Sequence, residues 1–184
     1  MHHNATLTNT SRWLHWAVAI GILLLLCTGF YMATFEVWSL YDWHKTLGVL
    51  LLLLLAARAV YRLRRGWLTP AGRYSRFEQA AARWVHWALL LGVFLLPITG
   101  LMYSGAGGFG VPVFGWELIP SNYIEGEPVA YNAALSNFGD QAHEILGWLL
   151  AVIVGLHMLG ALKHHFLDKD DTLKRMLGRA RGQD

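Results

Sequence analysis

The chain has 184 residues, of which 55% are hydrophobic, with nine tryptophans and a mean hydropathy of +0.36. This composition is too apolar for an ordinary soluble domain and suits a protein with a few membrane spans. The net charge of +3 and the pI of about 9.2 come from basic residues beside apolar runs, which excludes a nucleic-acid-binding module built on a continuous basic patch.

Four apolar runs follow one another along the chain, at 13–33, 44–61, 85–103 and 143–166. Each has the ~17 to 25 residues that cross roughly 30 Å of hydrocarbon as a helix. Backbone groups in lipid must be satisfied within their own segment, so we expect four helices. The only cysteine, Cys27, lies inside the first run, which excludes a disulfide framework and a thiolate metal cluster.

Two further segments complete a single membrane domain, 1–184. The segment 104–140 is long and rich in glycine, proline and aromatic residues. Loops of this length usually have a function or local structure, so we expect a cap over a cofactor site. The segment 167–184 is predicted to be a basic cytoplasmic tail.

Charged residues near the span ends predict the orientation. Lysine and arginine beside spans stay on the cytoplasmic side, so both termini are expected there. The basic end carries Arg12, Arg62, Arg64, Arg65, Arg73, Arg76, Arg83, Lys163, Lys169, Lys174, Arg175, Arg179 and Arg181. The acidic end carries Glu36, Asp42, Glu117, Glu125, Glu127, Asp140 and Glu144, with Lys45 as its one lysine.

The first and third spans are copies of one pattern, 71 residues apart. The matching strings are Arg12-Trp13-Leu14-His15-Trp16-Ala17 with Arg83-Trp84-Val85-His86-Trp87-Ala88, and Thr28-Gly29 with Thr99-Gly100. The second and fourth spans also correspond, with His44-Lys45-Thr46-Leu47-Gly48 matching His143-Glu144-Ile145-Leu146-Gly147. Two copies of a helical hairpin predict an all-α, antiparallel four-helix transmembrane bundle, which builds cofactor sites from side chains facing its core.

Histidines recur at two depths of the predicted bundle. His44 and His143 are equivalent in the repeat and open their spans, so they are expected to face each other at the acidic end. His157 follows His143 by fourteen residues. Along a helix, fourteen residues bring a side chain back to within ~40° of the starting direction and rise ~21 Å, so both imidazoles face the same side. Its partner near the basic end is either His15 or His86, and the residues leave this choice open.

Paired imidazoles at two depths favour two haem irons held from both faces, which leaves no open position for oxygen. Zinc is less consistent, because its sites gather three or four ligands at one point. Ionisable groups at membrane depth are costly and usually functional.

Several motifs resemble one family. They are Leu14-His15-Trp16, His44, Leu96-Pro97-Ile98-Thr99-Gly100-Leu101, His143-Glu144, Gly155-Leu156-His157, Ala161-Leu162-Lys163-His164-His165-Phe166 and Lys169-Asp170-Asp171-Thr172-Leu173-Lys174-Arg175-Met176-Leu177. From Arg12 to about Leu177 the sequence resembles the bacterial cytochrome b561 family of four-helix, di-haem membrane proteins, one of which oxidises superoxide and reduces quinone.

The resemblance implies two haem b groups and ubiquinone as a substrate. It assigns His44 and His143 to the iron of one haem and His15 and His157 to the other. His86 then becomes a contact of a propionate or quinone. The remaining candidates for propionate or quinone contacts are Arg58, Arg62, Arg83, Lys163, His164 and His165.

The acidic end sets the expected outer partner. Its carboxylates would repel superoxide, an anion, whereas they would attract a basic periplasmic redox protein. We therefore expect an electron carrier between membrane quinone and such a partner, with no catalytic residue assigned. The alternatives are a superoxide oxidase, a cytochrome b anchor subunit of a dehydrogenase or hydrogenase, and a haem-free transporter.

Overall fold

The computed structural model describes residues 7–65 and 74–179 and confirms the predicted four-helix bundle. Arg73 and Arg181, predicted for the basic end, and the last residues of the tail lie outside the described residues. The helices are α1 (Asn9–Phe35), α2 (Tyr41–Arg65), α3 (Arg76–Ala106), α4 (Ala133–Phe166) and the short α5 (Thr172–Leu177), with a 3-10 turn at Trp38–Leu40. Within the described ranges, four helices are long and apolar enough to cross a membrane.

All four long helices begin before their predicted spans, and polar residues cap the starts of α1, α3 and α4. Thr8 accepts a hydrogen bond from the Ser11 amide before α1. Ser75 and Glu78 form a capping box at the start of α3, which satisfies two amides that have no partner inside the helix. Consequently α3 and α4 take up both ends of the segment 104–140, and α5 lies inside the predicted tail.

The duplicated hairpins pack in the same way at mid-depth. Gly21 in α1 faces Leu51 in α2, and the equivalent Gly92 in α3 faces Leu150 in α4. These leucines are 7% and 1% exposed. Many other apolar side chains point outward, for example Val152 at 61% exposure, as expected where lipid surrounds the bundle.

Between α3 and α4, two small hairpins form a cap at the acidic end. Strand β1 (Val111–Val113) pairs with β2 (Trp116–Ile119), and β3 (Tyr123–Ile124) pairs with β4 (Glu127–Pro128), both antiparallel. Gly108 has φ of +79°, and a Cβ there would lie 2.3 Å from the Val129 carbonyl oxygen. Only glycine fits this close approach between the two ends of the cap.

Strand β1 is attached directly to α2. The Thr46 hydroxyl donates to the Pro112 carbonyl at 3.0 Å. The Lys45 ammonium donates to the carbonyls of Phe109 at 3.4 Å and Gly110 at 3.1 Å. The cap is thereby held beside His44, at the depth where the second apolar run begins.

Candidate cofactor sites in the bundle

The first candidate site lies near the acidic end, where α2 and α4 bring His44 and His143 together. Their ring centres are 6.3 Å apart and the rings are nearly perpendicular, at 84°. Two imidazoles that share one first-row metal ion, at about 2.0 to 2.1 Å from each nitrogen, place their ring centres roughly 6 Å apart. The spacing therefore fits a single iron between the two rings.

The helices behind these rings hold each imidazole by Nδ1. The His143 Nδ1 lies 2.8 Å from the Leu96 carbonyl oxygen and 3.4 Å from the Thr99 hydroxyl. A carbonyl only accepts, so Nδ1 carries the proton and Nε2 keeps its lone pair for a metal. The equivalent Thr28 hydroxyl lies 3.5 Å from the His44 Nδ1.

Glycines make room for both rings. A Cβ at Gly100 would lie 3.0 Å from the His143 Cε1, and a Cβ at Gly29 would lie 3.2 Å from the His44 Cε1. The repeated Thr-Gly pair thus supports each histidine from the preceding helix of its hairpin. The sequence shows this pair in both copies, but its role depends on contacts between helices that the repeat alone does not predict.

Open space lies beside the histidines on their own helices. Gly48 and Gly147 follow His44 and His143 by one turn, on the same helix face, and Gly160 follows His157 by three residues. A Cβ at any of these three glycines would meet no atom within 4 Å. A flat macrocycle could therefore approach the helix backbone closely on this face.

The second candidate site, near the basic end, contains three imidazoles. The ring centres of His15 and His157 are 6.4 Å apart, whereas those of His86 and His157 are 5.4 Å apart. The first spacing is close to that expected for a shared iron and the second is shorter. His86 is also exposed, while His15 and His157 are partly buried.

A positive charge accompanies the second site. Arg58 in α2 is partly buried and close enough to act electrostatically on both His15 and His157. It occupies the position in α2 that corresponds to His157 in α4. The duplication is therefore broken here, with a cation on one hairpin and an imidazole on the other.

The remaining candidates differ in how they are paired. Lys163 contacts Glu78 and Asp168, each with N–O distances of 2.8 Å. The His164 Nδ1 lies 2.8 Å from Asp168 and 3.2 Å from the Asp170 carboxylate. In the described part of the chain, the Nδ1 atoms of His164 and His165 are both buried and make no hydrogen bond, but only the His164 Nδ1 lies within ion-pair distance of carboxylates.

Asp170 also connects the tail to the segment before α3. Tyr74 donates to its carboxylate at 2.6 Å. Burial alone would raise the pKa of Asp170, but hydrogen bonds from Tyr74 and Thr172 outweigh it and hold that pKa below its ordinary value. The pKa of Tyr74 is raised by burial and by this hydrogen bond to a carboxylate.

The surface at the acidic end is strongly negative. All seven carboxylates assigned to that end from the sequence are exposed. The Lys45 side chain is only 15% exposed, and its ammonium is directed at the carbonyls of the cap. The one lysine at this end therefore does little to offset the negative surface.

The chain is similar in sequence to known bacterial cytochromes. Residues 7–179 match the family model described as prokaryotic cytochrome b561. The chain is 37% identical over 174 residues to cytochrome b561 homolog 2 of Escherichia coli strain K12, covering 90% of this chain and 88% of that protein. It is 27% identical over 173 residues to the probable superoxide oxidase CybB of Yersinia pestis, covering 92% and 94%. The chain belongs to the prokaryotic cytochrome b561 family and is a bacterial membrane cytochrome that binds b-type haem and transfers electrons.

Proposed function

We propose that the chain binds two b haems and carries single electrons between membrane quinone and a redox partner at the acidic end. This proposal rests on two pairs of facing imidazoles. The ring centres of His44 and His143 are 6.3 Å apart, and those of His15 and His157 are 6.4 Å apart. His143 and His157, one from each pair, lie fourteen residues apart along α4, a rise of ~21 Å. His44 and His143 ligate the haem nearer the acidic end, and His15 and His157 ligate the other.

The bound haems supply reversible one-electron chemistry. Two imidazoles would hold each haem iron, which would leave no position open to oxygen or small ligands. The Leu96 carbonyl fixes the His143 tautomer, and Thr99 lies close enough to support it. Arg58 can pair with a haem carboxylate near the second site through charge-assisted hydrogen bonds.

Quinone is proposed to bind near the basic end. Reduction of a quinone needs a proton donor close to its carbonyl, and histidine exchanges protons near neutral pH. His165 is favoured because its buried Nδ1 has no partner in the described residues. His164 is already engaged by Asp168 and Asp170, so it suits a supporting role. Lys163, paired with two carboxylates, is a weaker candidate for a propionate contact than Arg58.

The orientation follows from the charges at the two ends. We propose that both termini lie in the cytoplasm of a bacterium and that the acidic end faces the periplasm across the inner membrane. A basic periplasmic redox protein would then be steered towards the acidic end by its field. An anchor-subunit role, with a stable dehydrogenase bound at this end, uses the same surface and would be recognised by copurification.

Haem stoichiometry tests the two sites. His44→Ala should leave one haem per chain, His157→Ala should also leave one, and the two variants should lose different haems in a redox titration. Arg58→Lys, which keeps the charge and removes no ligand, serves as the control. A pyridine haemochrome assay giving two haems in His44→Ala would reject the assignment.

A second candidate function, superoxide oxidation, is favoured by the name of the Yersinia pestis relative. The negative surface argues against it, because like charge lowers the encounter rate and salt screens that effect. Stopped-flow reduction by superoxide should therefore be slow and should accelerate as salt is added. Fast reduction that salt slows would support the superoxide reaction instead.

A further inference from the structure

The two hairpins of the cap share one turn type. The turn residues Phe114 and Gly115 have φ of +50° and +85°, and Glu125 and Gly126 have φ of +54° and +89°. Positive φ at both central residues defines the tight two-residue hairpin turn that favours asparagine or glycine at its first position. A phenylalanine in this left-handed conformation is strained, and such strain is kept where the surroundings or a function require it.

The two tips differ in chemistry. The β1–β2 tip presents Phe114 at 68% exposure and Trp116 at 81% exposure. The β3–β4 tip presents the exposed carboxylates of Glu125 and Glu127. The β1–β2 tip is therefore apolar, whereas the β3–β4 tip is charged.

The attachment of β1 fixes the depth of the apolar tip. Pro112 is bonded to Thr46, two residues beyond His44, where the predicted hydrocarbon span begins. The tip follows Pro112 by two residues, so it lies within ~7 Å of that level at ~3.3 Å per residue. The headgroup layer on each side of the hydrocarbon is roughly 5 to 8 Å thick. Trp43, 61% exposed on α2, marks the same level with a residue typical of this layer.

We propose that the β1–β2 tip is a membrane-surface anchor, which places Phe114 and Trp116 in the lipid headgroup layer on the acidic side. The depth of the tip places it within the headgroup layer. We therefore favour lipid over a protein partner as the surroundings of the two aromatic side chains. The anchor would hold the cap at a fixed height beside the His44 site. This inference does not depend on the number of haems or on the direction of electron flow.

Depth-dependent quenching tests the anchor. In a Cys27→Ser background, Phe114→Cys and the matched control Glu125→Cys each receive one environment-sensitive fluorophore, and the haem-loaded protein is placed in phosphatidylcholine nanodiscs. We expect a nitroxide near the top of the acyl chain to quench position 114 several-fold more strongly than position 125. Aqueous iodide should show the reverse order.

Equal access of iodide to both positions would overturn the anchor and favour a protein partner at the tip. A Trp116→Cys probe repeats the measurement on the other aromatic residue, in case the turn does not tolerate labelling at position 114. An unchanged haem absorption spectrum shows that each labelled protein is folded.

Discussion

Adding one methyl group behind a haem ligand tests how the acidic-end site is built. In Gly100→Ala, the new Cβ would lie 3.0 Å from the His143 Cε1 and 3.1 Å from its Nδ1. Ordinary contact begins at 3.4 Å, so the ring must move away from α3. That movement lengthens the 2.8 Å contact between Nδ1 and the Leu96 carbonyl, which holds Nε2 towards the iron.

The free-energy cost of Gly100→Ala follows from the packing around the His143 ring. Inserting a methyl group into a filled interior costs about 1 to 3 kcal/mol. An unliganded ring can turn to relieve the clash, whereas a liganded ring cannot, so this cost falls mainly on the haem-bound state. We expect Gly100→Ala to weaken haem binding at this site by about 5- to 150-fold. Gly29→Ala should have a smaller effect, because its Cβ would stop at 3.2 Å from His44.

The assay is haem content and redox titration of purified protein, with Gly92→Ala as the matched control. A Cβ at Gly92 would also stop at 3.2 Å, but from the flexible end of Leu150, so both haems should remain. If Gly100→Ala keeps both haems with unchanged potentials, Gly100 does not position His143. Equal haem loss in Gly92→Ala would mean that overpacking anywhere in the bundle expels haem.

Two further predictions concern the basic end. His15→Ala should leave one haem and His86→Ala two, because the His15 ring has the spacing of a shared ligand; haemochrome assays giving the opposite result would make His86 the ligand. Asp170 has a depressed pKa, so its stabilisation of the tail is complete above the ordinary value of 3.8 and is lost as pH falls through the lower folded value. In Tyr74→Phe the folded pKa of Asp170 should rise, so this carboxylate should stabilise the tail less and pepsin should cleave the tail at higher pH on acidification. An unchanged cleavage profile would show that the hydrogen bond does not stabilise the tail.

Long apolar runs predicted the four helices because crossing lipid leaves few alternatives. The repeat likewise predicted that His44 and His143 would meet, since equivalent positions in copied hairpins occupy equivalent depths. The supporting role of Thr99 and Gly100 was not predictable, because it depends on the distance between α3 and α4. The conformation of the expected cap was not predictable either, as Phe114 is not a residue that signals a tight turn.

The broken duplication makes the two sites electrostatically different. The acidic-end pair lies below exposed carboxylates, whereas the second pair lies within the field of Arg58. Negative charge disfavours adding an electron and positive charge favours it. The second haem should therefore have the higher potential, so that electrons entering at the acidic end move towards the quinone.

Arg58→Met tests this direction, with Arg58→Lys as the control that retains the charge. A unit charge about 10 Å from a redox centre changes its energy by ~1.7 kcal/mol at an effective dielectric constant of 20. For a one-electron couple this corresponds to ~70 mV. Arg58→Met should lower only the potential of the haem held by His15 and His157, and Arg58→Lys should largely restore it. A higher reduction potential for the acidic-end haem in the parent protein would contradict the inferred direction. Electrons would then favour the haem at the acidic end over the haem held by His15 and His157.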